Sequence, residues 1–316
     1  MRSYKNWIVG RIGVLWVVLL MVTGCQPEAD ATSEASADQK LKVVATTGMI
    51  ADAAKEIGGE LVEVTGMMGP GVDPHLYKAT RSDLTLLREA DIIFYNGLHL
   101  EGKMAEVLEK LGRQKPVFAI AEKIPEADLL LVDGATNSHD PHIWFDVSLW
   151  AKAVQEIGDR LAELDPKHAS AYQQQIESYL RELVALHQEV GEQLSTVPPE
   201  QRVLITAHDA FGYFGKAYGV EVRGLQGIST VAEFGLKDIK ELVDFIVSKQ
   251  IKAVFVESSI PTKSLEAVVE GCKRQGHGLR IGGTLYSDAM GAPDGPAGTY
   301  IGMVRENVRT ISEALK

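Results

Sequence analysis

The chain has 316 residues, of which 45% are hydrophobic and 24% charged, and its 43 acidic against 32 basic side chains give a formal net charge of −11. This length is sufficient for two ordinary domains. The acidic balance makes the chain a poor binder of nucleic acid, so that class of function is set aside.

The first 24 residues are typical of a secretory signal peptide. Arg2, Lys5 and Arg11 stand before or within an apolar run that ends in small residues just ahead of Cys25. The ending VTGC resembles a bacterial lipobox, in which cleavage leaves the cysteine as a lipidated N-terminus. We therefore expect an exported lipoprotein, held through Cys25 on the extracytoplasmic face of a membrane that it does not cross. An ordinary signal peptide followed by an incidental cysteine is the alternative.

Residues 25–40 are predicted to be the lipidated cysteine and a disordered tether, because residues 26–40 contain no large apolar side chain and are rich in Ala, Ser, Asp and Glu. The chain has two cysteines, Cys25 and Cys272. If Cys25 carries a lipid, Cys272 has no partner for an intrachain disulfide. The exported protein then depends on core packing alone.

Strand-like and helix-like segments alternate through residues 41–165. The short apolar runs typical of strands are LKVVATT, LVEVTGMM, DIIFYNG and PVFAIAE, whereas RSDLTLLREA and KMAEVLEKLG have the amphipathic pattern of helices. This alternation predicts an α/β lobe built on a parallel sheet that helices cover on both faces.

Residues 166–197 are predicted to form one long helix that links two lobes. Seven apolar residues recur at steps of three or four and define one helical face; they are Tyr172, Ile176, Tyr179, Leu183, Leu186, Val190 and Leu194. Asp165 with Pro166 marks the start of this helix, and Pro198 with Pro199 marks its end. About thirty helical residues span roughly 45 Å. A strut of this length predicts limited hinge closure between the lobes.

The same pattern restarts in residues 198–316 with RVLITAHD, VEVRGLQG, KAVFVESS and LRIGGTLYSD. We therefore predict a second α/β lobe of similar size. The predicted fold class is α/β, with two lobes, each a parallel-type sheet flanked by helices, joined by one long rigid helix. In such sheets ligands bind outside the carboxyl ends of the strands, which places a cleft between the lobes.

Four polar clusters follow predicted strands, two in each half: GVDPHLY, HDPHIWFD, AHDAFGYF and YSDAMG. We expect these clusters to converge in the cleft. The chemistry they offer comes from His75, His142, His208 and Asp288, with His139, Asp140, Asp209 and Glu257 nearby in sequence or topology. Imidazole and carboxylate groups without cysteine suit zinc, manganese, iron or nickel.

Taken alone, each loop histidine is more often a surface or capping residue than a metal ligand. A metal site is favoured here because three histidines recur at equivalent strand ends and because Asp-Pro directly precedes His75 and His142. Proline fixes its own φ and restricts the aspartate before it, so the histidine leaves a rigid turn in a defined direction. Asp73 and Asp140 then either cap a helix or hold an imidazole by its second nitrogen.

Seven segments of the chain stand in the order of a known family: GVDPHLYKATRSDL, NGLHLE, HDPHIWFDVSLW, LITAHDAFGYFGKAYG, ESSIPTKSLEAV, LYSDAMG and GTYIGMVRENVRTI. From about Leu41 to the C-terminus the chain thus resembles the metal-binding lipoproteins of ABC-type manganese and zinc importers, the TroA-like or cluster A-I solute-binding family. The resemblance implies two α/β lobes joined by one long helix, with one metal ion per chain held between them. It implies His75, His142, His208 and Asp288 as the ligands.

The resemblance leaves manganese and zinc both open. The position of His208 is glutamate in many manganese-binding members and histidine in zinc-binding and mixed members. Zinc-dedicated members often carry a long His-rich and acidic loop before HDPH, whereas EKIPEADLLLVDGATNS is short and lacks histidine. Three imidazoles and one carboxylate hold zinc more tightly than manganese. A bidentate Asp288 raises the coordination number toward the preference of manganese, and a monodentate one favours tetrahedral zinc.

Four further residues are candidates to support the ligands from behind: His139, Asp140, Asp209 and Glu257. Glu257 ends a strand that faces the cleft and is a candidate to orient His208 or a water. For His139, simple solvent exposure is the alternative. His99 belongs to the family pattern but not to its ligand set, and Trp144 is expected to pack at the interface of the lobes.

Together with the resemblance, these residues predict a monomeric extracytoplasmic solute-binding lipoprotein that captures manganese or zinc and delivers it to an ABC permease and its ATPase. Four protein ligands close the coordination sphere, which suits capture and transfer better than catalysis. A zinc-dependent hydrolase is the first alternative, but it needs an open metal position and a general base, and the sequence contains no HExxH motif. A zinc-specific import receptor with an additional adhesin role is the second.

Overall fold

Residues 40–132 and 138–316 are described by a computed structural model of the chain. The predicted signal peptide, Cys25 and all of the predicted tether except Lys40 lie outside the described residues. Within the described ranges, no helix is both long and apolar enough to cross a membrane. The division of the chain into five ranges, from signal peptide to second lobe, stays a prediction.

Four parallel strands form the sheet of the first lobe. They are β1 (Leu41–Ala45), β2 (Val62–Gly66), β3 (Ile92–Tyr95) and β4 (Val117–Ala119), in the spatial order β2-β1-β3-β4. The helices between them are α1 (Gly48–Gly58), α2 (Arg81–Glu89) and α3 (Ala105–Gly112). The order of strands reverses beside β1, where a parallel sheet leaves room for a ligand.

The second lobe repeats this strand order. Its strands are β5 (Val203–His208), β6 (Glu221–Gln226), β7 (Ala253–Glu257) and β8 (Arg280–Leu285), arranged in parallel as β6-β5-β7-β8. Its helices are α6 (Gly212–Tyr218), α7 (Leu236–Lys249), α8 (Lys263–Arg274) and α9 (Tyr300–Leu315). The predicted fold class, two parallel-sheet α/β lobes with a long helix between them, is confirmed.

Two long helices, α4 (Val147–Leu164) and α5 (Ala169–Ser195), lie between the sheets in sequence. The buried residues of α5 are the seven that the apolar repeat predicts. Its 27 residues span about 40 Å, slightly less than predicted, because Pro166–His168 form a separate 3₁₀ turn. Helix α5 packs against α1 and α4 and also against α6 and α9 of the second lobe. It therefore braces both halves along their length.

One hydrophobic core extends across both lobes. Val43 and Ala45 of β1 and Phe255 of β7 point into this shared core, together with apolar faces of α1, α4, α5 and α9. Because side chains alternate along a strand, Val44 and Val254 point away from it into a separate core in each lobe. The lobes are thus joined by buried apolar surface as well as by the linking helix.

Tyr300 connects the lobes inside the shared core. Its N–H donates a 2.8 Å hydrogen bond to Asp52 Oδ2, and its hydroxyl donates one of 2.8 Å to the carbonyl of Trp144. Its ring stacks on Trp150 with the centroids 5.1 Å apart. Trp144 is fully buried and lies at the interface of the lobes, as the sequence predicts.

Candidate metal centre

Four side chains meet at the carboxyl ends of the two sheets. His75 lies in the loop after β2, His142 in the long connection after β4, His208 at the last position of β5, and Asp288 in the loop after β8. All four are buried, with relative exposures of 3%, 0%, 0% and 2% in that order. Each lobe supplies two of them, so the cluster bridges the cleft between the lobes.

The ligand atoms of these residues point at one another. One atom from each residue can be chosen such that all four lie within 4.8 Å of one another. Nε2 of His142 is 3.3 Å from Nε2 of His75 and 3.4 Å from Oδ1 of Asp288. Oδ2 of Asp288 lies 3.3 Å from Nε2 of His208 and 3.6 Å from Nε2 of His75. The cluster therefore surrounds a single central position.

Three of these atoms are buried without a hydrogen-bond partner among the described residues. Nε2 of His208 and both oxygens of Asp288 are inaccessible to solvent, and no atom of the described chain completes a hydrogen bond to them. A buried carboxylate without partners costs several kcal/mol. A divalent cation at the centre satisfies all three atoms at once. Three imidazoles and a carboxylate are a donor set that fits zinc and also other first-row transition metals.

The two Asp-Pro-His turns share one local structure. Oδ1 of Asp73 accepts the backbone N–H of His75 at 2.8 Å, and Oδ1 of Asp140 accepts that of His142 at 2.9 Å. Such an aspartate turn, with the proline fixing φ between its ends, sets the direction in which the histidine leaves the backbone. Asp140 also lies 2.6 Å from Nδ1 of His142, so the same carboxylate fixes both backbone and ring.

His208 is held in a comparable way from a neighbouring strand. Oε1 of Glu257 accepts its backbone N–H at 2.8 Å, and Oε2 lies 2.5 Å from its Nδ1. Glu257 ends β7, which is hydrogen-bonded to β5. A carboxylate on Nδ1 fixes the tautomer that leaves Nε2 free to bind a metal, and it raises the basicity of the imidazole.

Opposing effects of burial and charge set the ionisation of the cluster. Burial lowers the pKa of His75 to about 3, only partly opposed by the charge of Asp288. Burial also disfavours the cation at His142, but Asp140 and Asp288 outweigh it and raise the pKa of His142 to about 9. Burial acts the same way on His208, yet Glu257 and Asp288 raise its pKa well above the ordinary value. Against its own burial, the neighbouring imidazoles hold the pKa of Asp288 well below the ordinary value.

A buried polar network supports the turn of His142, and sequence reasoning missed it. Nδ2 of Asn96 donates a 2.9 Å hydrogen bond to the carbonyl of Pro141. Glu101, 3% exposed, accepts the backbone N–H of Asn96 at 2.8 Å and the hydroxyl of Thr46 at 2.7 Å. Burial raises the pKa of Glu101, although these hydrogen bonds oppose the shift. The segment NGLHLE thus contributes a support for the site and not a ligand.

The residues predicted to support the ligands divide into two pairs. Asp140 and Glu257 contact the imidazoles of His142 and His208. His139 instead has its Nε2 4.0 Å from Oε1 of Glu126. The backbone N–H of Asp209 donates to the carbonyl of Gln226. The supporting roles of His139 and Asp209 stay predictions.

The chain is similar to several known proteins along most of its length. The family described as ZnuA, zinc-uptake complex component A, periplasmic, matches residues 43–314. The manganese-binding lipoprotein MntA of Bacillus subtilis (strain 168) is 50% identical over 309 residues, which cover 97% of this chain and 100% of that protein. The manganese ABC transporter substrate-binding lipoprotein PsaA of Streptococcus mitis is 30% identical over 314 residues, covering 96% of this chain and 99% of PsaA.

A solved structure matches the fold as well as the sequence. The zinc-binding protein TroA of Treponema pallidum (strain Nichols) is 47% identical over 305 residues, which cover 96% of this chain and 98% of TroA. The structure of periplasmic zinc-binding TroA from this organism superposes with a TM-score of 0.86 at 48% identity, covering 88% of this chain and 99% of that one. The similarity therefore spans both lobes and the linking helix.

Proposed function

Because the chain belongs to the zinc-uptake complex component A family, we propose that it is the extracytoplasmic receptor of an ABC importer for manganese and zinc. It captures one divalent ion between its lobes and delivers it to a membrane permease. His75, His142, His208 and Asp288 are the proposed ligands. The relatives described above carry manganese, zinc or ABC transporter in their names, which supports the same class of function.

The observation that carries the proposal is the buried cluster with unsatisfied polar atoms. Two lobes each contribute two side chains to one point, and the atoms facing that point lack other partners within the described chain. Burying three imidazoles and a carboxylate together is unfavourable unless an ion compensates them. The arrangement is therefore understood most simply as a cage for a cation.

The geometry of Asp288 bears on which ion is carried. Both of its oxygens face the imidazoles, Oδ1 toward His142 and Oδ2 toward His208. A carboxylate presented in this way can act as a bidentate ligand and bring the number of donor atoms to five, above the four of structural zinc sites. This supports transport of manganese alongside zinc, although the donor set binds zinc more tightly.

The same contacts argue against a hydrolase. A catalytic zinc keeps one position open and has a general base beside it. Of the two carboxylates that could serve as the base, Glu257 has both oxygens engaged with His208, and Asp288 faces the imidazoles as a proposed ligand. In a receptor, Glu257 supports His208 and Asp288 binds the ion, and no free base is required.

We also propose where the receptor is located, how it is anchored and which proteins it binds. The protein acts as a monomer on the extracytoplasmic face of a bacterial envelope membrane, anchored by a lipid on Cys25, and its partners are an ABC permease and the attached ATPase. The names of the MntA and PsaA relatives, both lipoproteins, support the anchor. In cells, Cys25→Ser is expected to move the protein from the membrane fraction to the soluble fraction.

The binding function is tested by titrating the full-length chain, purified in detergent and stripped of metal by chelation, with Mn²⁺ and separately with Zn²⁺. A ligand that binds only the native state raises the unfolding midpoint by mass action. We expect saturation near one equivalent for each metal. Stabilisation by Zn²⁺ alone would favour a zinc-specific receptor, and no shift with either metal would remove the proposed function.

Two variants make this titration specific to the site. His142→Ala removes a proposed ligand and is expected to weaken binding by about 3 kcal/mol, or roughly a hundredfold. His99→Asn is the matched control, because His99 lies outside the cluster and asparagine tolerates its positive φ of 65°. Equal affinity of His142→Ala and wild type would contradict the ligand assignment.

A further inference from the structure

The three histidines of the cluster are supported in two different ways. His142 and His208 each have a carboxylate at Nδ1, supplied by Asp140 and Glu257 of the same lobe. For His75, no carboxylate contact at Nδ1 is found within the described residues; its backbone N–H donates to Asp73, and its Nε2 faces Nε2 of His142. The orientation of His75 therefore depends on the loop that carries it more than that of the other two does.

The loop that carries His75 is tied to the opposite lobe. Oδ2 of Asp73 accepts a 2.7 Å hydrogen bond from the hydroxyl of Thr230, which lies between β6 and α7. Asp73 thus joins the backbone of His75 to the second lobe through its two oxygens. Thr230 is itself anchored, because Nε2 of Gln226 donates to its carbonyl at 2.7 Å and to that of Ala232 at 2.6 Å.

A second contact between the lobes lies four residues before His75. Gly71 has φ of +72°, and a Cβ there would lie 3.4 Å from the carbonyl oxygen of Ser258. Ser258 directly follows Glu257, the residue that holds His208. The segment from Gly71 to His75 is therefore hydrogen-bonded to the second lobe at Asp73 and passes close to it at Gly71.

The other hydrogen bonds between the lobes near the site are more deeply buried than the bond between Asp73 and Thr230. Nε1 of Trp144 donates a 3.0 Å hydrogen bond to the carbonyl of Ser287, next to Asp288, and Tyr300 bonds to Trp144 and Asp52 within the shared core. Separating the lobes there exposes apolar surface, which costs free energy in proportion to its area. Asp73 is only partly buried, so breaking its bond to Thr230 carries a smaller cost of this kind.

We propose that Asp73 and Thr230 are positioning residues that lock His75 onto the ion, and that release begins when this bond breaks and His75 withdraws with its loop. His142, His208 and Asp288 keep their places during this first step, since their supports lie within one lobe or in the shared core. The inference rests on the proposed function, in which an ion bound by all four residues must later leave.

The test measures how fast the full-length chain, loaded with Zn²⁺, loses the ion to an excess of a chromophoric chelator in a stopped-flow instrument. Thr230→Val removes the hydroxyl at nearly constant volume, and we expect dissociation about fivefold faster, the change that one net hydrogen bond implies. Thr230→Ser keeps the hydroxyl and is expected to restore the wild-type rate. The association rate should change little in either variant.

Two further variants separate the lock from a general loss of structure. Ser312→Ala removes a buried hydroxyl that accepts a 3.0 Å hydrogen bond from Gln193 of α5, and it should leave the dissociation rate unchanged. In a His75→Ala background, Thr230→Val should leave the dissociation rate of Zn²⁺ unchanged, because the bond between Asp73 and Thr230 is proposed to act only by positioning His75.

The outcomes distinguish this inference from the proposed function. If the wild-type chain takes up no Zn²⁺, the proposed function fails. If wild type binds the ion but Thr230→Val releases it at the wild-type rate, or accelerates release equally with and without His75, the lock is overturned and the receptor function stands.

Discussion

At the residue scale, the carboxylates behind the imidazoles of His142 and His208 matter as much as these candidate ligands themselves. Asp140 and Glu257 accept from Nδ1 of His142 and His208, so the proton of each neutral ring stays on the side away from the cleft. The lone pair of Nε2 then faces the centre of the cluster. A change that leaves the ligand in place but reverses this tautomer should therefore disable the site.

Glu257→Gln provides that change. The amide nitrogen of glutamine donates a hydrogen bond to Nδ1 of His208, which shifts the ring proton to Nε2 and blocks the metal. We expect an affinity for Zn²⁺ that is 10- to 100-fold weaker, measured by competition with a chelator of known affinity. Glu270→Gln, at a half-exposed side chain on α8, is the control and should bind like wild type. An unchanged affinity in Glu257→Gln would show that tautomer control is unimportant here.

The buried carboxyl of Asp52 should make stability depend on pH. Burial raises its pKa from 3.8 to about 6, although the N–H of Tyr300 opposes the shift. Between about pH 4 and pH 6 the folded protein thus retains a proton that the unfolded chain has lost. Its contribution to the free energy of unfolding therefore falls as the pH rises through this window, by on the order of 2–3 kcal/mol.

Asp52→Asn removes this titration while keeping an oxygen for the N–H of Tyr300. Urea unfolding of the chelated protein from pH 4 to pH 7 should show the variant gaining stability relative to wild type as the pH rises. Glu89→Gln, an exposed carboxyl on α2, should follow the wild-type curve. Parallel curves for Asp52→Asn and wild type would mean that Asp52 titrates normally in the folded state.

The sequence pattern predicted those members of the candidate site whose place in the cluster follows from local pattern. Asp140 stands two positions before its histidine, and Glu257 and His208 end strands that parallel-sheet topology makes neighbours. Asn96 and Thr230 were missed, because their partners Pro141 and Asp73 lie 45 and 157 positions away. An asparagine or threonine in a loop also carries no distinctive chemistry, so only the folded chain reveals these contacts.

At the scale of elements, the close approach of the β5 and β6 backbones places the candidate ligand His208. Gly224 of β6 lies beside the end of β5, where a Cβ would come within 2.4 Å of the backbone nitrogen of Asp209 and 2.6 Å of the carbonyl carbon of His208. Backbone atoms cannot yield as a flexible side chain can. Glycine at this position is therefore required for His208 to point into the cleft.

Gly224→Ala should displace the end of β5 and weaken both stability and metal binding. Forcing a methyl group against a packed backbone typically costs 1–3 kcal/mol. Gly227→Ala is the matched control, since a Cβ at Gly227 meets nothing within 4 Å. Chemical unfolding and Zn²⁺ titration of both variants test the idea, which fails if the two alanines behave alike.

The elements themselves were predictable because each has a strong local signal. Within the described residues, the eight strands coincide with the eight runs that the sequence pattern indicates, although β6 and β8 are only partly apolar, and the buried face of α5 repeats every three or four residues. The sequence did not reveal that the two sheets share one core. Alternating residues such as Val43 and Val44 are equally apolar, so their pattern cannot indicate which side faces the other lobe.

At the scale of the whole molecule, the shared core and α5 restrict how far the lobes can move. A large hinge opening would expose side chains of the shared core, such as Phe255 and Tyr300. We therefore expect chelated and Zn²⁺-loaded protein to have nearly the same radius of gyration in solution scattering, with differences confined to loops such as that of His75. A clear contraction of the whole molecule on adding metal would contradict this rigid-lobe prediction.

The two halves of the chain share one strand order, so equivalent loops face each other across the cleft. This arrangement is like the isologous interface between two identical subunits, but it lies within one chain. The loops after β2 and β6 are counterparts and meet through Asp73 and Thr230, while those after β4 and β8 meet through Trp144 and Ser287. Surfaces that contact their own counterparts in this way are typical of symmetric dimers.

The ends of β1 and β5 are where the two halves differ. A buried glutamate accepts from a side chain in both, but Glu101 holds Thr46 where Glu257 holds His208. Because the halves differ here, the cluster combines unequal positions: His142 and Asp288 follow the fourth strand of their halves, whereas His75 follows the second strand of its half and His208 ends the first strand of the other. The coordination sphere of a bound ion would therefore be asymmetric, although the two halves around it share one strand order.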